Sequence, residues 1–135
     1  MTREYNIRYT DYKIPIEDIP RFLYHATPLM TFERIYRDGV ISANPREHLW
    51  DFSEPNKVYL ATDEYIAYSF VEVSMEEKDI EDEIVVLQID TNHPLFNKDK
   101  LYADQNISYS TTEEMYSLEY RDKLSSKTIY EIYDL

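Results

Sequence analysis

The residue of this sequence best placed to do chemistry is His25. It ends a short apolar segment, residues 22–25, and a helical pattern then runs to Gly39, the single glycine of the chain. A second apolar segment, residues 58–61, precedes a second helical pattern. A histidine at the end of the first strand in this strand–helix–strand–helix order indicates a nucleotide pocket, and a structural role for the histidine is the alternative.

The composition excludes several other kinds of reactive site. The remaining histidines, His48 and His93, have no ligand-like spacing to another histidine, so we expect no metal site. The absence of cysteine excludes disulfides, thiolate ligands and cysteine nucleophiles. A chain with one glycine has no glycine-rich phosphate loop, so Rossmann and P-loop sites are excluded, and no serine lies in a nucleophile elbow.

The charge of the chain restricts its partners. The sequence has 14 Lys and Arg against 27 Asp and Glu, a formal net charge of −13. A field of that sign repels nucleic acid and anionic membranes and attracts basic proteins, so we expect a protein partner, no membrane and no direct nucleic-acid binding. The alternative is a solvated acidic surface. No signal core or membrane-spanning stretch is found, so we expect a cytoplasmic protein.

The positions of proline and glycine, together with the spacing of the apolar residues, predict the elements that must position His25. Residues 1–20, which contain Pro15 and Pro20, are expected to form an N-terminal arm, and residues 21–135 a single domain. The first helix is predicted to have Thr27 as its N-cap and to end at Gly39. Its expected apolar face consists of Leu29, Phe32, Ile35 and Tyr36.

The second half of the pattern predicts one more helix and several strands. Thr62 is the expected N-cap of the second helix, and its buried stripe is predicted to contain Ile66, Ala67, Phe70 and Val73. Residues 84–89 are a nearly continuous β-branched run, typical of a central strand. Residues 101–102, 118–121 and 128–133 are weaker strand candidates. Two early helices followed mostly by strands predict an α+β fold.

The order of these motifs resembles the ADP-ribosyltransferase superfamily, in its histidine-containing branch of PARP-like and small bacterial or phage enzymes. The family's first strand carries a Tyr-His-Gly-Thr-like motif, which Tyr24-His25-Ala26-Thr27 matches. The step Gly39-Val40 resembles the end of the next helix, residues 58–61 resemble a Val-Tyr strand, and Ala67-Tyr68 resemble the helix behind it. A late glutamate completes the family pattern.

The resemblance implies a fold and a reaction. The fold would be of the ADP-ribosyltransferase type, with two small, strongly bent β-sheets that form an NAD cleft and helices packed outside. The activity would be mono-ADP-ribosyl transfer from NAD to a macromolecular target. The acidity of the chain favours a protein as that target. Hydrolysis of NAD, in which water takes the place of the acceptor, is the alternative reaction that needs no macromolecular target.

The resemblance also implies roles for individual residues. His25 would bind a ribose hydroxyl of NAD, and the backbone of Ala26 would contact the nicotinamide carboxamide, with Tyr24 and Thr27 in the same NAD-binding motif. Tyr68, or else Tyr59, would stack on the nicotinamide ring. The family usually has glycine where this chain has Ala26, and the added Cβ crowds that approach, which leaves a degenerate pocket as an alternative.

The catalytic acid has two candidates. Glu119, followed by Tyr120, resembles the Glu-Tyr pair that opens the family's catalytic strand, and Glu131 is its competitor. Glu113 and Glu114 could lie on a substrate-facing loop, and the cations that could meet the NAD phosphates are Arg34, Arg37 and Arg46.

Two other functions fit parts of the sequence. RNA 2′-phosphotransferases have a fold similar to that of the ADP-ribosyltransferases, but they need several basic residues to bind the phosphate of the RNA. The acidity of this chain argues against an RNA substrate. A non-enzymatic inhibitor or nucleic-acid mimic that binds a basic partner fits the charge of −13 and the 14 tyrosines. That function could also occur on a degenerate transferase fold.

Overall fold

A computed structural model describes residues 12–41, 57–104 and 116–134 of the chain. The described residues form an α+β fold, as the sequence predicts, with two α-helices and eight strands. In chain order these elements are β1 (Phe22–Pro28), α1 (Leu29–Asp38), β2 (Val40–Ile41), β3 (Val58–Ala61), α2 (Glu64–Glu77), β4 (Ile84–Asp90), β5 (Leu101–Ala103), β6 (Ser117–Tyr120), β7 (Leu124–Ser125) and β8 (Ile129–Tyr133).

The main sheet has six strands in the order β5-β6-β3-β1-β4-β8, and all of its pairs are antiparallel. The long pair β1–β4 forms its middle, with a continuous register from Phe22↔Asp90 to Pro28↔Ile84. Strands β2 and β7 form a separate two-stranded sheet. The strands predicted at 84–89, 101–102, 118–121 and 128–133 are confirmed to within about two residues at each end.

The two faces of the main sheet have different partners, because side chains alternate along each strand. One face, called here the core face, holds the larger apolar cluster, which includes Leu23, Leu60, Leu87, Leu118 and Tyr120. The other face, called here the α2 face, carries a smaller cluster in which Ala26, Ala61 and Val86 pack with Ala67 and Val71 of helix α2.

Helix α1 begins differently from the prediction. Thr27 was expected to cap it, but Thr27 lies within β1, where it pairs with Val85. The helix starts at Leu29 after Pro28, which supplies no side-chain cap. The orphan N–H of Met30 instead donates to the Asp82 carboxylate at 3.1 Å, because the β1–β4 ladder brings the loop before β4 beside this helix end.

The end of α1 follows the sequence closely. Gly39 has a φ of 77° and donates its N–H to the Ile35 carbonyl at 2.9 Å, as expected for a left-handed C-cap. Of the predicted apolar face, Ile35 is buried and Leu29 and Phe32 pack partly against the core. The assignment of Tyr36 to that face is wrong, since it is 80% exposed.

Helix α2 is capped one residue later than predicted. The carboxylate of Asp63 accepts hydrogen bonds from the N–H groups of Tyr65 at 2.8 Å and Ile66 at 3.2 Å, so Asp63 rather than Thr62 is the N-cap. Among the predicted stripe, Ala67 is buried, but Val73 is exposed. The buried side of the helix continues instead through Val71, Ser74 and Met75.

The two outer strands of the main sheet differ in their surroundings. Residues of the predicted N-terminal arm lie along β5: the N–H of Ala103 donates to the Tyr12 carbonyl at 2.8 Å, and the N–H of Ile14 to the Leu101 carbonyl at 3.0 Å. Ile14 is buried there. Strand β8 at the opposite edge has mostly exposed side chains.

Candidate functional site

The His25 imidazole joins two neighbouring strands. Its Nδ1 lies 2.9 Å from the Tyr59 carbonyl oxygen, and since a carbonyl only accepts, Nδ1 carries the hydrogen. Burial lowers the pKa of His25 below its ordinary value, and the hydrogen bond to Tyr59 opposes that effect in part. A neutral imidazole with its proton fixed on Nδ1 presents Nε2 as an acceptor.

The hydrogen bond of His25 lies where the sheet ladder is interrupted. Strands β1 and β3 pair at Tyr24↔Ala61, whereas β1 and β4 pair along their whole length. Within the described residues, the ladder between β1 and β3 therefore does not extend to Ala26. The His25 side chain bridges the two strands at this point through its hydrogen bond to the Tyr59 carbonyl.

Glu119 lies on the next strand beyond Tyr59. The two residues are direct cross-strand partners, and Glu119 also pairs with Tyr102 on its other side. Strands β1, β3 and β6 are neighbours in the sheet, so His25, Tyr59 and Glu119 lie on three adjacent strands, a set called here the row, although the Tyr24↔Ala61 register places Ala26 rather than His25 opposite Tyr59. This row contains a histidine, a tyrosine and an acid from the three separate motifs of the sequence.

Glu119 is fully buried and is held by two cations. Its Oε2 lies 3.1 Å from Lys57 Nζ and 2.8 Å from Arg121 Nε. The guanidinium of Arg121 also stacks 3.8 Å from the centroid of the Tyr102 ring. We call these four residues, Lys57, Tyr102, Glu119 and Arg121, the Glu119 cluster. Two positive partners offset the cost of burying the carboxylate within the sheet.

The side chains of the row leave the sheet on different faces. His25 alternates with Leu23 and so belongs to the core face, whereas Tyr59 and Glu119 alternate with Ala61 and Ser117 on the α2 face. The structure therefore places His25 and Glu119 on strands separated by β3 and on opposite faces of the sheet.

The other residues of the first motif have packing partners. The hydroxyl of Tyr24 accepts a hydrogen bond from Gln88 Nε2 at 3.2 Å, and its ring lies 6.4 Å from that of Tyr133. Tyr24 thus leans towards β4 and β8, away from Tyr59. Ala26 and Thr27 are buried, at 7% and 3% exposure.

The two candidate ring-stacking residues lie on the α2 face. Tyr68, on helix α2, packs partly buried against the cluster of Ala26 and Ala61. Tyr59 is half-buried on β3. Both rings are on the side of the sheet that carries Glu119, and their predicted contact with nicotinamide remains a prediction.

The competing acid, Glu131, lies elsewhere in the sheet. It is on the edge strand β8, opposite Gln88, exposed, and separated from β1 by β4. Arg37 is exposed and pairs with Asp38 at 3.3 Å. Several further candidates lie outside the described residues, namely Arg46, His48, Glu113 and Glu114.

The sequence reading missed the partners of Glu119. Arg121 lies two residues after Glu119, a spacing that puts both side chains on the same face when a strand continues. That signal was available in the sequence. Lys57 directly precedes β3, and its contact with Glu119 arises from the pairing of β3 with β6, which no local pattern indicates.

Two further observations concern cofactors and membranes. Within residues 12–41, 57–104 and 116–134, no group of three or more histidine, aspartate and glutamate side chains could hold a metal ion. None of the helices in those ranges combines the length and the apolar character that crossing a bilayer requires.

No protein-family profile matches the chain, and no curated protein matches it significantly.

Proposed function

We propose that this protein is a mono-ADP-ribosyltransferase that transfers ADP-ribose from NAD to a protein. The observation that carries the proposal is the row of His25, Tyr59 and Glu119 on three adjacent strands. The resemblance noted in the sequence requires a histidine from the first strand, a tyrosine from the next strand and a late acid. We assign Glu119 as the late acid because it pairs with Tyr59, whose carbonyl binds His25, whereas Glu131 pairs with Gln88 on the other side of β1.

The proposed reaction needs one well-placed anion. The bond between ribose C1′ and the nicotinamide nitrogen breaks, nicotinamide leaves with the bonding electrons, and the ribose gains oxocarbenium character. The Glu119 carboxylate would polarise the ribose 2′-hydroxyl and stabilise that positive charge. A nucleophile of the target then bonds to C1′ and releases its proton to water. When water is the nucleophile, the outcome is NAD hydrolysis.

The interruption between β1 and β3 suits the binding of the nicotinamide ribose. With Nδ1 committed to the Tyr59 carbonyl, His25 Nε2 would accept a hydrogen bond from a ribose hydroxyl. The backbone of Ala26 would bind the carboxamide, and Tyr68 or Tyr59 would stack on the ring. Tyr24 and Thr27 would support this motif through packing. The ADP-ribosyltransferase arrangement, with two sheets about an NAD cleft, is part of this proposal.

The test follows both products of the reaction. Protein is incubated with NAD labelled in its adenine, with and without cell lysate, and free nicotinamide and transferred label are measured. Glu119→Gln is expected to lower the turnover by about 100-fold or more, because an amide cannot stabilise the developing charge. Glu131→Gln is the matched control on the same face of the sheet and is expected to retain activity.

Two results would overturn the proposal. The first is the absence of nicotinamide release and label transfer together with the absence of NAD binding by calorimetry. The second is full activity of Glu119→Gln with loss in Glu131→Gln, which would reassign the acid. Thermal unfolding of each variant, followed in parallel, separates loss of activity from loss of fold.

A second candidate function rests on the cations of the Glu119 cluster. Lys57 and Arg121 both contact Oε2 of Glu119, and His25 projects from the other face of the sheet. These contacts equally suit a degenerate transferase fold that acts as a non-enzymatic, acidic inhibitor of a basic protein. That function predicts no NAD binding and leaves binding of the basic partner unchanged in Glu119→Gln.

A further inference from the structure

The two outer strands of the main sheet differ in whether their free edge is paired. Tyr12 and Ile14 hydrogen bond along β5 at 2.8 and 3.0 Å and cover that edge. Within the described parts of the chain, β8 pairs with β4 on one side and with no strand on the other. An unpaired edge presents a row of N–H and C=O groups to which another strand can add.

Strand β8 also exposes large side chains beside that edge. Tyr130 is 58% exposed and Ile132 is 52% exposed. Its pairing with β4 shifts register between Gln88 and Ile89, so the regular part of the strand is the stretch from Glu131 to Tyr133. The bulge limits strand addition to this short stretch, and the exposed isoleucine lies in the middle of it.

The register with β4 fixes which side chain lies on which face. Ile132 pairs with Leu87 and extends the core face, whereas Glu131 and Tyr133 pair with Gln88 and Val86 and lie on the α2 face. Burial raises the pKa of the Tyr133 hydroxyl, and Glu131 and Glu64 beside it raise that pKa further. The edge thus offers an apolar position on one face and a negative position on the other.

We propose that β8 binds an extended segment of a basic protein as an added strand. A basic side chain of that segment would lie beside Glu131 on the α2 face, and an apolar side chain beside Ile132 on the core face, because directly opposed residues form the cross-strand contacts. The segment would therefore alternate basic and apolar residues. This interaction does not depend on any reaction with NAD.

The charge of the chain favours a basic partner over a second copy. Two chains with a formal net charge of −13 each repel one another, and pairing β8 with β8 would bring Glu131 and its neighbours close to their own copies. The same field attracts a basic segment. Directly opposed unlike charges on an added strand contribute favourably, whereas like charges oppose pairing.

The probe is a short fluorescent peptide of alternating lysine and valine, titrated with the full chain and followed by anisotropy. Two matched peptides separate the contributions: one with glutamate in place of lysine, and one with the lysines kept but alternate amides N-methylated. We expect binding of the first peptide only. Amide hydrogen exchange in the complex should show new protection at residues 131–133.

The protein variants test the location of the site. Ile132→Lys puts a cation at the apolar position and is expected to weaken binding by about tenfold or more. Met30→Lys adds the same charge at a side chain that is 72% exposed on α1, and serves as its control. It is expected to change the affinity by less than about threefold, an effect of net charge alone.

Three outcomes would overturn the proposal. Equal weakening by Ile132→Lys and Met30→Lys would show non-specific attraction to the acidic chain. Undiminished binding of the N-methylated peptide would exclude an added strand. A dimer that forms without peptide and is abolished by Ile132→Lys would identify a second copy as the occupant of the edge.

Discussion

Glu119 and Glu131 lie on the same face of the same sheet, yet their surroundings differ. Glu119 is on β6, an inner strand between β5 and β3, and is fully buried with Lys57 and Arg121 at its Oε2. Glu131 is on the edge strand β8 and is exposed. The position of the strand in the sheet, rather than the local sequence, gives each acid its surroundings.

This difference separates a buried glutamate from an exposed one, which the sequence alone does not distinguish. A buried, doubly paired carboxylate is held in one orientation, and with no exposed surface it contacts a ligand only after the structure around it opens. An exposed carboxylate on a free edge suits recognition of a basic partner, because it needs no reorganisation of the core. The two regions thereby support the two proposals independently.

The largest effect is expected from removing the buried acid. Glu119→Ala leaves Lys57 and Arg121 without their shared partner in a buried setting, and we expect a loss of about 3–5 kcal/mol in the free energy of unfolding. Chemical denaturation at neutral pH measures it.

The matched substitution on the edge strand is expected to change the free energy of unfolding very little. Glu131→Ala removes an exposed side chain and should alter the free energy of unfolding by less than about 0.5 kcal/mol. If both variants lost the same amount, strand position would not explain the difference between the two acids.

A smaller effect is expected for a cross-strand apolar pair. Leu87 and Ile132 are direct partners on β4 and β8, but Leu87 is fully buried and Ile132 is 52% exposed. Leu87→Ala should cost about 3 kcal/mol through lost burial and a cavity, and Ile132→Ala less than about 1 kcal/mol. Thermal or denaturant unfolding of both variants checks the ratio, and similar losses would mean that β8 is covered in solution.

The smallest effect concerns the protonation of His25. Burial holds its pKa below the ordinary value of 6.5 in the folded chain, so the unfolded chain takes up the proton first as pH falls. The stabilising contribution is present above pH 6.5 and is lost as the pH falls towards the folded pKa. As the pH falls below 6.5, the wild type should lose more stability than His25→Gln.

The control for this prediction is built into the comparison. Every other titrating group is shared by the two proteins, so their stability difference isolates position 25. Parallel pH profiles for wild type and His25→Gln would show that burial does not depress the pKa of this histidine. The test should be run by urea denaturation, because urea leaves the charges of the acidic chain unscreened.

Several elements of the fold could be predicted because their signals are local. Gly39 ends α1 because only glycine adopts a φ of 77° without steric cost. The β-branched run at β4 indicated a buried strand, and the structure confirms it. The predictions of Thr27 and Thr62 as N-caps were wrong, although both residues are plausible caps locally. Pairing with β4 keeps Thr27 extended, and Asp63 accepts the hydrogen bonds of the α2 amides in place of Thr62.

The candidate site was predictable in part. His25, Tyr59 and Glu119 could be selected by residue type and motif order. Their approach across β1, β3 and β6, and the choice of Glu119 over Glu131 as the acid of that row, required the strand order. Lys57 became a partner of Glu119 only through that order, since the two residues lie far apart in the sequence.

The sequence by itself determined the fold class, the acidity, the exclusion of cysteine and glycine-rich chemistry, and the segments that become helices and strands. These properties depend on composition and on short periodic patterns, which act over a few residues. The tertiary structure alone decided which acid is buried, which strands lie at the edges of the sheet and which face each side chain takes. Those outcomes depend on long-range strand pairing, in which a shift of one residue moves a side chain to the opposite face of the sheet.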